Sequence, residues 1–463
     1  MISLCSLVAG IMLSIVIFGL DPHIPMLLGV LVAAVVAFRS GYSWDEIQDG
    51  MVKGIGNAIP AMLILLVIGI LIGTWILSGV VPTLLYYGLK LLSPDIFLPA
   101  TLLICALTSL ATGTSWGTTG TIGVALMGIG AGLGFPLPIV AGAVLSGAYF
   151  GDKMSPLSDT TNMAPAMVGT DVYTHIRHMM YTSGVAFGLT LIIEIILGLQ
   201  YGGGEEDIES INIMLATLET EFNVGLWHLI PPVLVIVTAV RKYPALPGIV
   251  AGVISAVIIG FLVEGISYQE FLVAAYSGYS SNTGVEAVDS LLTKGGFTSM
   301  MYAISIVFCS MAFGGVMDAT NQLKVIVGKI LLIAKSRGGL VSSTVMTAIG
   351  ANMTLCDQYM AIVVTGRMYA QTYRDKGLAP QNLSRAVEDS ATVTANLIPW
   401  NAGGAYQAAT LGVATLAYLP FAFFCWLSPI VSILFGWLGI TMTPLAVEEQ
   451  QEEEAKTAAD QAS

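Results

Sequence analysis

The chain has 463 residues, of which 55% are hydrophobic and only 10% are charged, and its mean hydropathy is +0.82. Soluble domains carry roughly 25% charged residues, so this composition excludes a protein whose main solvent is water. The net charge of −13 does not indicate a nucleic-acid partner, because most of the acidic excess lies in two polar peripheral segments, residues 201–222 and 447–463. We therefore predict an all-α, polytopic membrane protein whose helices cross the lipid bilayer.

The order of apolar and polar segments predicts how the chain is divided. We expect five regions, in chain order: N-terminal transmembrane helices (1–58), a first repeat (59–200), an acidic outer loop with connecting helices (201–299), a second repeat (300–440) and an acidic disordered tail (441–463). The first spanning helix is predicted over residues 2–20. Apolar segments of about 20 residues cross a bilayer, and on this basis we expect about eleven to thirteen crossings.

The first interruption of the apolar pattern is a small-residue run, Gly113-Thr-Ser-Trp-Gly-Thr-Thr-Gly-Thr-Ile-Gly123. Small residues let two helices pack closely, which is one reading of the run. The other reading is the tip of a re-entrant hairpin, where hydroxyls and free backbone groups face a site. The number of hydroxyls exceeds what packing needs, so we favour the tip. The predicted substrate contacts are Thr114, Ser115, Thr118 and Thr119.

The second interruption is Phe150-Gly-Asp-Lys-Met-Ser-Pro-Leu-Ser-Asp-Thr-Thr-Asn-Met-Ala-Pro165. Its two prolines disfavour a continuous helix, and an unwound segment exposes carbonyl oxygens beside the carboxylates and hydroxyls. Hard cations prefer such oxygen ligands, so the segment predicts a Na⁺ site. The alternative is an ordinary polar loop at the membrane surface. The predicted ion ligands here are Asp152, Ser155, Ser158, Asp159 and Thr160.

The second half repeats this order of apolar segment, break and proline-bearing break. Its hairpin-like break, residues 351–362, contains Asp357, which we add to the predicted ion ligands. Its proline-bearing break, residues 394–404, contains Asn396 and Asn401, which we add to the predicted substrate contacts. Matches such as Ala111 with Ala351, Thr114 with Thr354 and, after a three-residue insertion, Pro156 with Pro399 support the repeat.

Carboxylates in spanning segments are costly and therefore indicate function, and the second half holds four of them: Asp318, Asp357, Glu388 and Asp389. Arg385 lies close to the last two, so a buried ion pair is the structural alternative for them. Competition between H⁺ and Na⁺ for one carboxylate is sufficient for exchange. The proton-coupling candidates are Asp159, Asp152, Asp357, Glu388 and Asp389.

Other polar residues predict no chemistry. Lys153, His175, Arg177 and His178 are interpreted as marking a membrane interface rather than a catalytic site. The five cysteines are scattered singly, which argues against a disulfide framework or a zinc site. The sequence has no P-loop, HExxH or GxSxG motif, so we expect neither an enzyme nor a cofactor beyond the transported ions.

The distribution of basic residues predicts the orientation. Segments 40–57 and 320–338 carry lysines and arginines, whereas residues 201–222 carry only acids. Placing the basic segments inside makes the first helices of the two repeats run in opposite directions, which predicts an inverted repeat.

The two motifs of the first half resemble the NhaC family of bacterial Na⁺/H⁺ antiporters, and the similarity of layout extends over nearly the whole chain. The resemblance implies inverted repeats with re-entrant hairpins and discontinuous helices, a homodimer, and multi-pass insertion in the bacterial cytoplasmic (inner) membrane. The implied activity is exchange of Na⁺ (or Li⁺) for H⁺. The family also includes malate/lactate exchangers and carriers of amino acids such as tyrosine, so a Na⁺/H⁺-coupled carrier of a small organic solute is the alternative. The acids of the proline-bearing break, with Lys153 as its only base, favour cation exchange.

Overall fold

The protein is described from a computed structural model, over residues 2–201, 205–241, 243–322 and 336–445. All regular structure in these residues is helical, which confirms the predicted all-α class. The predicted acidic tail lies outside the described residues apart from its first five positions, as does most of the basic segment 320–338.

The first half of the chain forms helices whose breaks define the hairpin and the unwound segment. In chain order they are α1 (Ile2–Met12), α2 (His23–Arg39), α3 (Trp44–Leu77), α4 (Val80–Leu91), α5 (Pro94–Thr112), α6 (Ser115–Thr118), α7 (Val124–Gly132), α8 (Leu137–Met154), α9 (Asp159–Val168) and α10 (Val172–Tyr201). A π-helical turn, Thr119–Gly123, joins α6 to α7, so that the glycine- and threonine-rich run is helical after its first two residues.

The remaining described residues complete the helical structure. In chain order the helices are α11 (Glu205–Glu221), α12 (Ile230–Val240), α13 (Ala245–Ile259), α14 (Tyr268–Ser277), α15 (Glu286–Leu292), α16 (Met301–Ala319), α17 (Arg337–Leu355), α18 (Gln358–Asp375), α19 (Pro380–Val387), α20 (Ala402–Leu411), α21 (Thr415–Tyr418) and α22 (Phe423–Leu438). A π-helical turn, Glu388–Thr392, extends α19.

Among the described residues, five helices are long and apolar enough to span a bilayer, or up to seven if two bent pairs each count as one span. This is fewer than predicted, because many apolar segments are short or broken. The predicted acidic outer loop is also different: α11 covers most of it, and Met214 and Leu218 of this helix are buried. Alanine, leucine and glutamate favour helix, and here that preference overrides the loop reading.

The two repeats share one backbone frame. The α5 helix and its counterpart α17 begin at Pro94 and Arg337 and end at Thr112 and Leu355, a constant offset of 243 (337 minus 94). The same offset relates α6 to α18, α8 to α19 and α9 to α20. The sequence match of Thr114 with Thr354 is therefore wrong by three residues, and the structural counterpart of Thr114 is Asp357.

Each repeat contains one junction, where a hairpin tip meets a break between helices. The first junction comprises residues 113–114 and 155–158, and the second comprises residues 356–357 and 398–401. The first tip turns at Gly113 (φ 71°) and the second at Cys356 (φ 59°), both left-handed positions that end a helix. In the first repeat α5 packs tightly on α8, because Gly147 and Gly151 lie against the carbonyl groups of Leu102 and Ala106.

Candidate cation site

A cavity of about 640 Å³ lies at the first junction. Its wall combines the first hairpin tip, the first break, the middle of α3 and the start of α18. The predicted site residues in the wall are Thr114, Ser115, Asp152, Ser158, Asp159 and Thr160. Six residues that are up to 46 positions apart in sequence thus surround one space, as a binding site requires.

Asp152 connects the tip to the break. It lies in the last turn of α8, is 5% exposed, and its Oδ2 accepts a hydrogen bond of 2.7 Å from the Ser115 hydroxyl. Asp159 is the first residue of α9, remains exposed and lines the cavity. A carboxylate at this position is stabilised by the N-terminal end of the helix dipole. The site therefore holds one buried and one exposed carboxylate.

Hydroxyl groups lie beside these carboxylates. The Ser158 and Thr160 hydroxyl oxygens are 3.1 Å apart, and Ser158 caps α9 by accepting a bond from the Thr161 amide. The Thr161 hydroxyl donates to the carbonyl oxygens of Asp152 and Lys153, at 3.2 and 3.1 Å. The Asp152 carbonyl also accepts from the Ser155 amide at 3.0 Å, so it already has two hydrogen-bond donors within the protein. The break itself covers only residues 155–158; the Asp159–Asn162 part of the predicted unwound segment is helical.

Three other predicted residues of the first repeat do not line this cavity. Ser155 is fully buried and its hydroxyl accepts from the Leu157 amide, a bond that shapes the turn. The Thr118 and Thr119 hydroxyls donate to the carbonyl oxygens of Thr114 and Trp116, at 2.9 and 3.0 Å. Such bonds to the preceding helical turn satisfy the hydroxyls locally.

The predicted residues of the second repeat also lie outside the cavity wall. Asp357 caps α18, with its Oδ1 accepting from the Met360 amide at 2.8 Å. Asn401 caps α20 and donates to the Asn352 carbonyl at 3.0 Å. Asn396 donates to the Cys425 sulfur at 3.3 Å. The next residues after Asp357, Gln358 and Tyr359, are the ones that reach the cavity.

The buried ion pair proposed as an alternative exists, but with a different cation. Lys153 Nζ lies 2.7 Å from Asp389 Oδ1, and both side chains are fully buried. Arg385 instead donates to the Thr441 hydroxyl at 2.6 Å. Glu388 is also fully buried, and neither of its carboxylate oxygens has a partner among the described residues. Thus the ion pair joins the two repeats instead of lying within the second.

The interface interpretation is wrong for Lys153, which lies inside the protein. His175 and His178, in the first two turns of α10, are also buried, and His175 lies 2.8 Å from the Ser384 hydroxyl; only Arg177 of the three is exposed. Asp318 is half-buried near the end of α16 and lines a separate cavity of about 50 Å³ together with Lys53.

The lining residues that sequence reasoning missed include five with polar or aromatic side chains: Thr112, Trp116, Tyr243, Gln358 and Tyr359. Gln358 is 4% exposed and its Oε1 accepts no hydrogen bond among the described residues. It is the structural counterpart of Ser115, so a correct alignment of the tips would have identified it. Trp116 stacks on Tyr406 with ring centroids 4.1 Å apart, which fixes the first tip against α20.

The charge of the wall restricts what the cavity can bind. Its lining residues include two carboxylates and no lysine, arginine or histidine among the described residues. The Lys153 ammonium is directed to Asp389 and Ser428 instead. No group of three or more His, Cys, Asp or Glu side chains suited to a resident metal occurs in the described part of the chain. Two carboxylates with hydroxyls suit a weakly held, exchangeable cation.

Comparison with known proteins relates the chain to transporters. The model of the Na⁺/H⁺ antiporter family matches residues 1–149 and 147–440. The chain is 40% identical over 441 residues to the Na⁺/H⁺ antiporter NhaC of Alkalihalophilus pseudofirmus, covering 94% of this chain and 95% of that protein. It is 40% identical over 438 residues to the malate-2H⁺/Na⁺-lactate antiporter of Bacillus subtilis, covering 94% of each. It is 37% identical over 465 residues to the arginine/ornithine antiporter ArcD of Halobacterium salinarum, covering 99% and 95%.

Proposed function

The chain belongs to the Na⁺/H⁺ antiporter family, as the two motifs of its first half predict, and from this premise we propose that it exchanges Na⁺ (or Li⁺) for H⁺. The single observation that supports this most strongly is the charge of the cavity. Asp152 and Asp159 line it, and no base does so among the described residues. A bare cation is the cargo that such a wall favours.

The proposed cycle needs only these groups. Na⁺ enters the cavity and binds the carboxylates of Asp152 and Asp159, with the hydroxyls of Ser158 and Thr160 completing its oxygen ligands. A carboxylate that carries a proton no longer offers a charge to Na⁺, so the two cargoes compete for the same oxygen atoms. Because each conformation carries one cargo or the other, movement of Na⁺ in one direction requires movement of H⁺ in the other.

The alternative cargo, an organic anion such as malate or lactate, would need a cation or a free helix N-terminus directed at its carboxylate. The helices α9 and α18 begin at the cavity, but Asp159 already lies in the first turn of α9 and Asp357 already caps α18, so protein carboxylates occupy these two helix ends. Lys153 was the only base that the sequence offered near the break, and its ammonium is bound 2.7 Å from Asp389. This observation favours inorganic cation exchange over an organic anion. We further propose, from the family resemblance, that the protein acts in the bacterial cytoplasmic membrane and is a homodimer.

The test uses purified full-length protein in liposomes that contain a pH-sensitive dye and an acidic interior. Addition of Na⁺ or Li⁺ outside should raise the internal pH, whereas K⁺ should not. The same vesicles are then given malate, lactate and tyrosine. Absence of a Na⁺-driven change between about pH 7 and pH 9, combined with uptake of malate or tyrosine, would replace the proposal with the organic carrier.

A further inference from the structure

A second large cavity, of about 390 Å³, lies on a different part of the protein. It is enclosed by α3, α4, α7, the segment 277–300 and the end of α20. It shares no lining residue with the cation cavity. Its polar lining residues are Ser277, Tyr279, Thr293, Lys294, Ser299 and Thr410. Most of the rest of the wall is apolar, and its volume is within the range of sites for small molecules.

The charge of this cavity is opposite to that of the cation cavity. Lys294 lines it, and its wall contains no aspartate or glutamate. Within the described part of the chain, no carboxylate lies within ion-pair distance of the Lys294 ammonium. Asp289, on the same segment, is occupied by its own loop, accepting from the Thr283 amide and the Ser281 hydroxyl, each at 2.7 Å. The Lys294 side chain is exposed to solvent, so a ligand in the cavity can reach its ammonium group, which has no carboxylate partner among the described residues.

A second observation, independent of Lys294, concerns a buried hydroxyl group in the wall of this cavity that lacks a hydrogen-bond partner. Thr410 is 4% exposed, lines the cavity, and its hydroxyl has no hydrogen-bond partner among the described residues. A buried hydroxyl without a partner is costly, and a ligand oxygen would satisfy it. Thr410 and Lys294 belong to distant parts of the chain, so their convergence on one cavity is a property of the fold.

The backbone holds Lys294 in place. The Tyr279 amide donates to the Lys294 carbonyl at 3.1 Å, and the Gly296 amide donates to the Gly69 carbonyl of α3 at 2.7 Å. Gly295 and Gly296 have φ values of 87° and 86°, which lets the chain turn directly against α3. The cavity wall that carries Lys294 is therefore held by one hydrogen bond to α3 and by another within its own segment.

We propose that this second cavity binds a small monocarboxylate with an apolar body. Its carboxylate would lie between the Lys294 ammonium and the Thr410 hydroxyl, and its apolar part would contact Ile76, Val124 and Met127. One lysine balances a single negative charge, whereas a dianion would leave a charge uncompensated in a largely apolar wall. A cation would meet no carboxylate there. The inference does not depend on which cation the first cavity transports.

The test is titration calorimetry on purified full-length protein in nanodiscs, with propanoate, propanamide and propylammonium as probes. Propanoate should bind, and the amide and the amine should bind at least about tenfold more weakly because each lacks the negative charge. Lys294→Met should weaken propanoate binding at least about tenfold, Lys294→Arg should retain most of it, and Thr410→Val should weaken it by a smaller factor. Lys90→Met is the matched control, since Lys90 contacts the Tyr86 hydroxyl and does not line the cavity.

Two further measurements test whether the variant is folded and whether a lipid occupies the cavity. Na⁺-driven exchange by Lys294→Met shows that the variant is folded, because Lys294 lies outside the cation cavity. Native mass spectrometry of the wild type and Lys294→Met, with phosphatidylglycerol present, tests a lipid as the occupant. Propanoate binding that is unchanged in Lys294→Met overturns the proposal. So does a Lys294-dependent bound phospholipid in a protein that does not bind propanoate.

Discussion

The two junctions have the same backbone arrangement, but hydrogen bonds close the second junction and a cavity lies at the first. In the second junction the tip and the break are joined by direct hydrogen bonds: the Ala402 amide to the Cys356 carbonyl at 2.9 Å, Asn401 to the Asn352 carbonyl at 3.0 Å, and the Trp400 indole to the Met353 carbonyl at 3.0 Å. In the first junction the counterparts of Asn352, Asn401 and Trp400 are Ser109, Ser158 and Leu157. Their shorter or apolar side chains make no such bonds, and a cavity of about 640 Å³ remains.

The acidic side chains of the first junction also have no acidic counterparts in the second. At the 243-residue offset, Asp152 corresponds to Ala395, Asp159 to Ala402 and Thr160 to Gly403. The second break therefore lacks the oxygen ligands of the first. A repeated backbone can thus be closed by hydrogen bonds in one copy and leave a cavity lined by carboxylates in the other, and the side chains account for the difference.

The largest expected effect concerns the opposite orientation of the repeats. The distribution of basic residues predicts that residues 201–222 lie outside and residues 320–338 inside. Single cysteines at Ser210 and Ser336, in a protein without its native cysteines, should react with an impermeant reagent from opposite sides of the membrane. Reaction of both from one side would mean that the repeats are not inverted.

Substitution of the exposed carboxylate of the first junction should stop transport. Asp159→Asn keeps the size of the side chain and removes a charge from the proposed Na⁺ ligands. Na⁺-driven exchange in liposomes should fall by about a hundredfold or more, because the variant removes one of the two negative charges proposed to bind the transported cation. Asp95→Asn, an exposed change in the first turn of α5, is the control and should retain activity. Normal exchange by Asp159→Asn would remove Asp159 from the site.

Loss of either member of the ion pair that joins the repeats should lower the stability of the protein. Lys153→Met or Asp389→Asn leaves one member of a fully buried pair without its partner. Each should lower the free energy of unfolding by about 3–5 kcal/mol, and the double variant Lys153→Met with Asp389→Leu should recover much of that loss. Thermal denaturation in detergent measures both. Equal losses that simply add in the double variant would show that the two residues do not depend on each other.

The apparent affinity for Na⁺ should weaken as pH falls, because H⁺ and Na⁺ compete for the same carboxylate. As pH falls, protons occupy the carboxylate, and the Na⁺ concentration that gives half-maximal exchange should rise by up to about tenfold per pH unit. Dye-loaded liposomes at a series of pH values measure this. A half-maximal Na⁺ concentration that does not change with pH would mean that H⁺ and Na⁺ use separate groups.

The smallest effect is expected at the second junction. Asp357→Asn preserves the cap of α18, because asparagine caps helices as well as aspartate does. If only the first junction binds the cation, exchange should change by less than about threefold, since no ligand charge is lost. A loss as large as that of Asp159→Asn would establish Asp357 as a ligand, as the sequence predicts.

The sequence predicted those features that depend on neighbouring residues. Composition predicted helices in a bilayer, and the small-residue run and the prolines located both breaks of the first repeat within a few residues. Residue matching failed at the tips, because short Ala and Thr matches recur by chance. Thr114 and Asp357 share a role as helix caps rather than an identity.

The site was harder to predict because its composition depends on long-range contacts. Asp152, Ser158, Asp159 and Thr160 lie close together in the sequence, and all four line the cavity, although their role as ion ligands stays a prediction. The hydroxyl partners of Thr118 and Thr119 are carbonyls one turn earlier, and a sequence does not show whether a hydroxyl is used locally. The Lys153–Asp389 pair spans 236 positions, and no local pattern connects its two members.

The tight packing of α5 on α8 limits how this protein can change shape. Gly147 and Gly151 leave no gap at the Leu102 and Ala106 carbonyls, so one helix cannot slide past the other without a steric clash. We therefore expect the two helices to move as one rigid body when access switches between the two sides. Asp152, in the last turn of α8, would then keep its position relative to α5 in every state, and the proposed cation site would move together with this pair of helices.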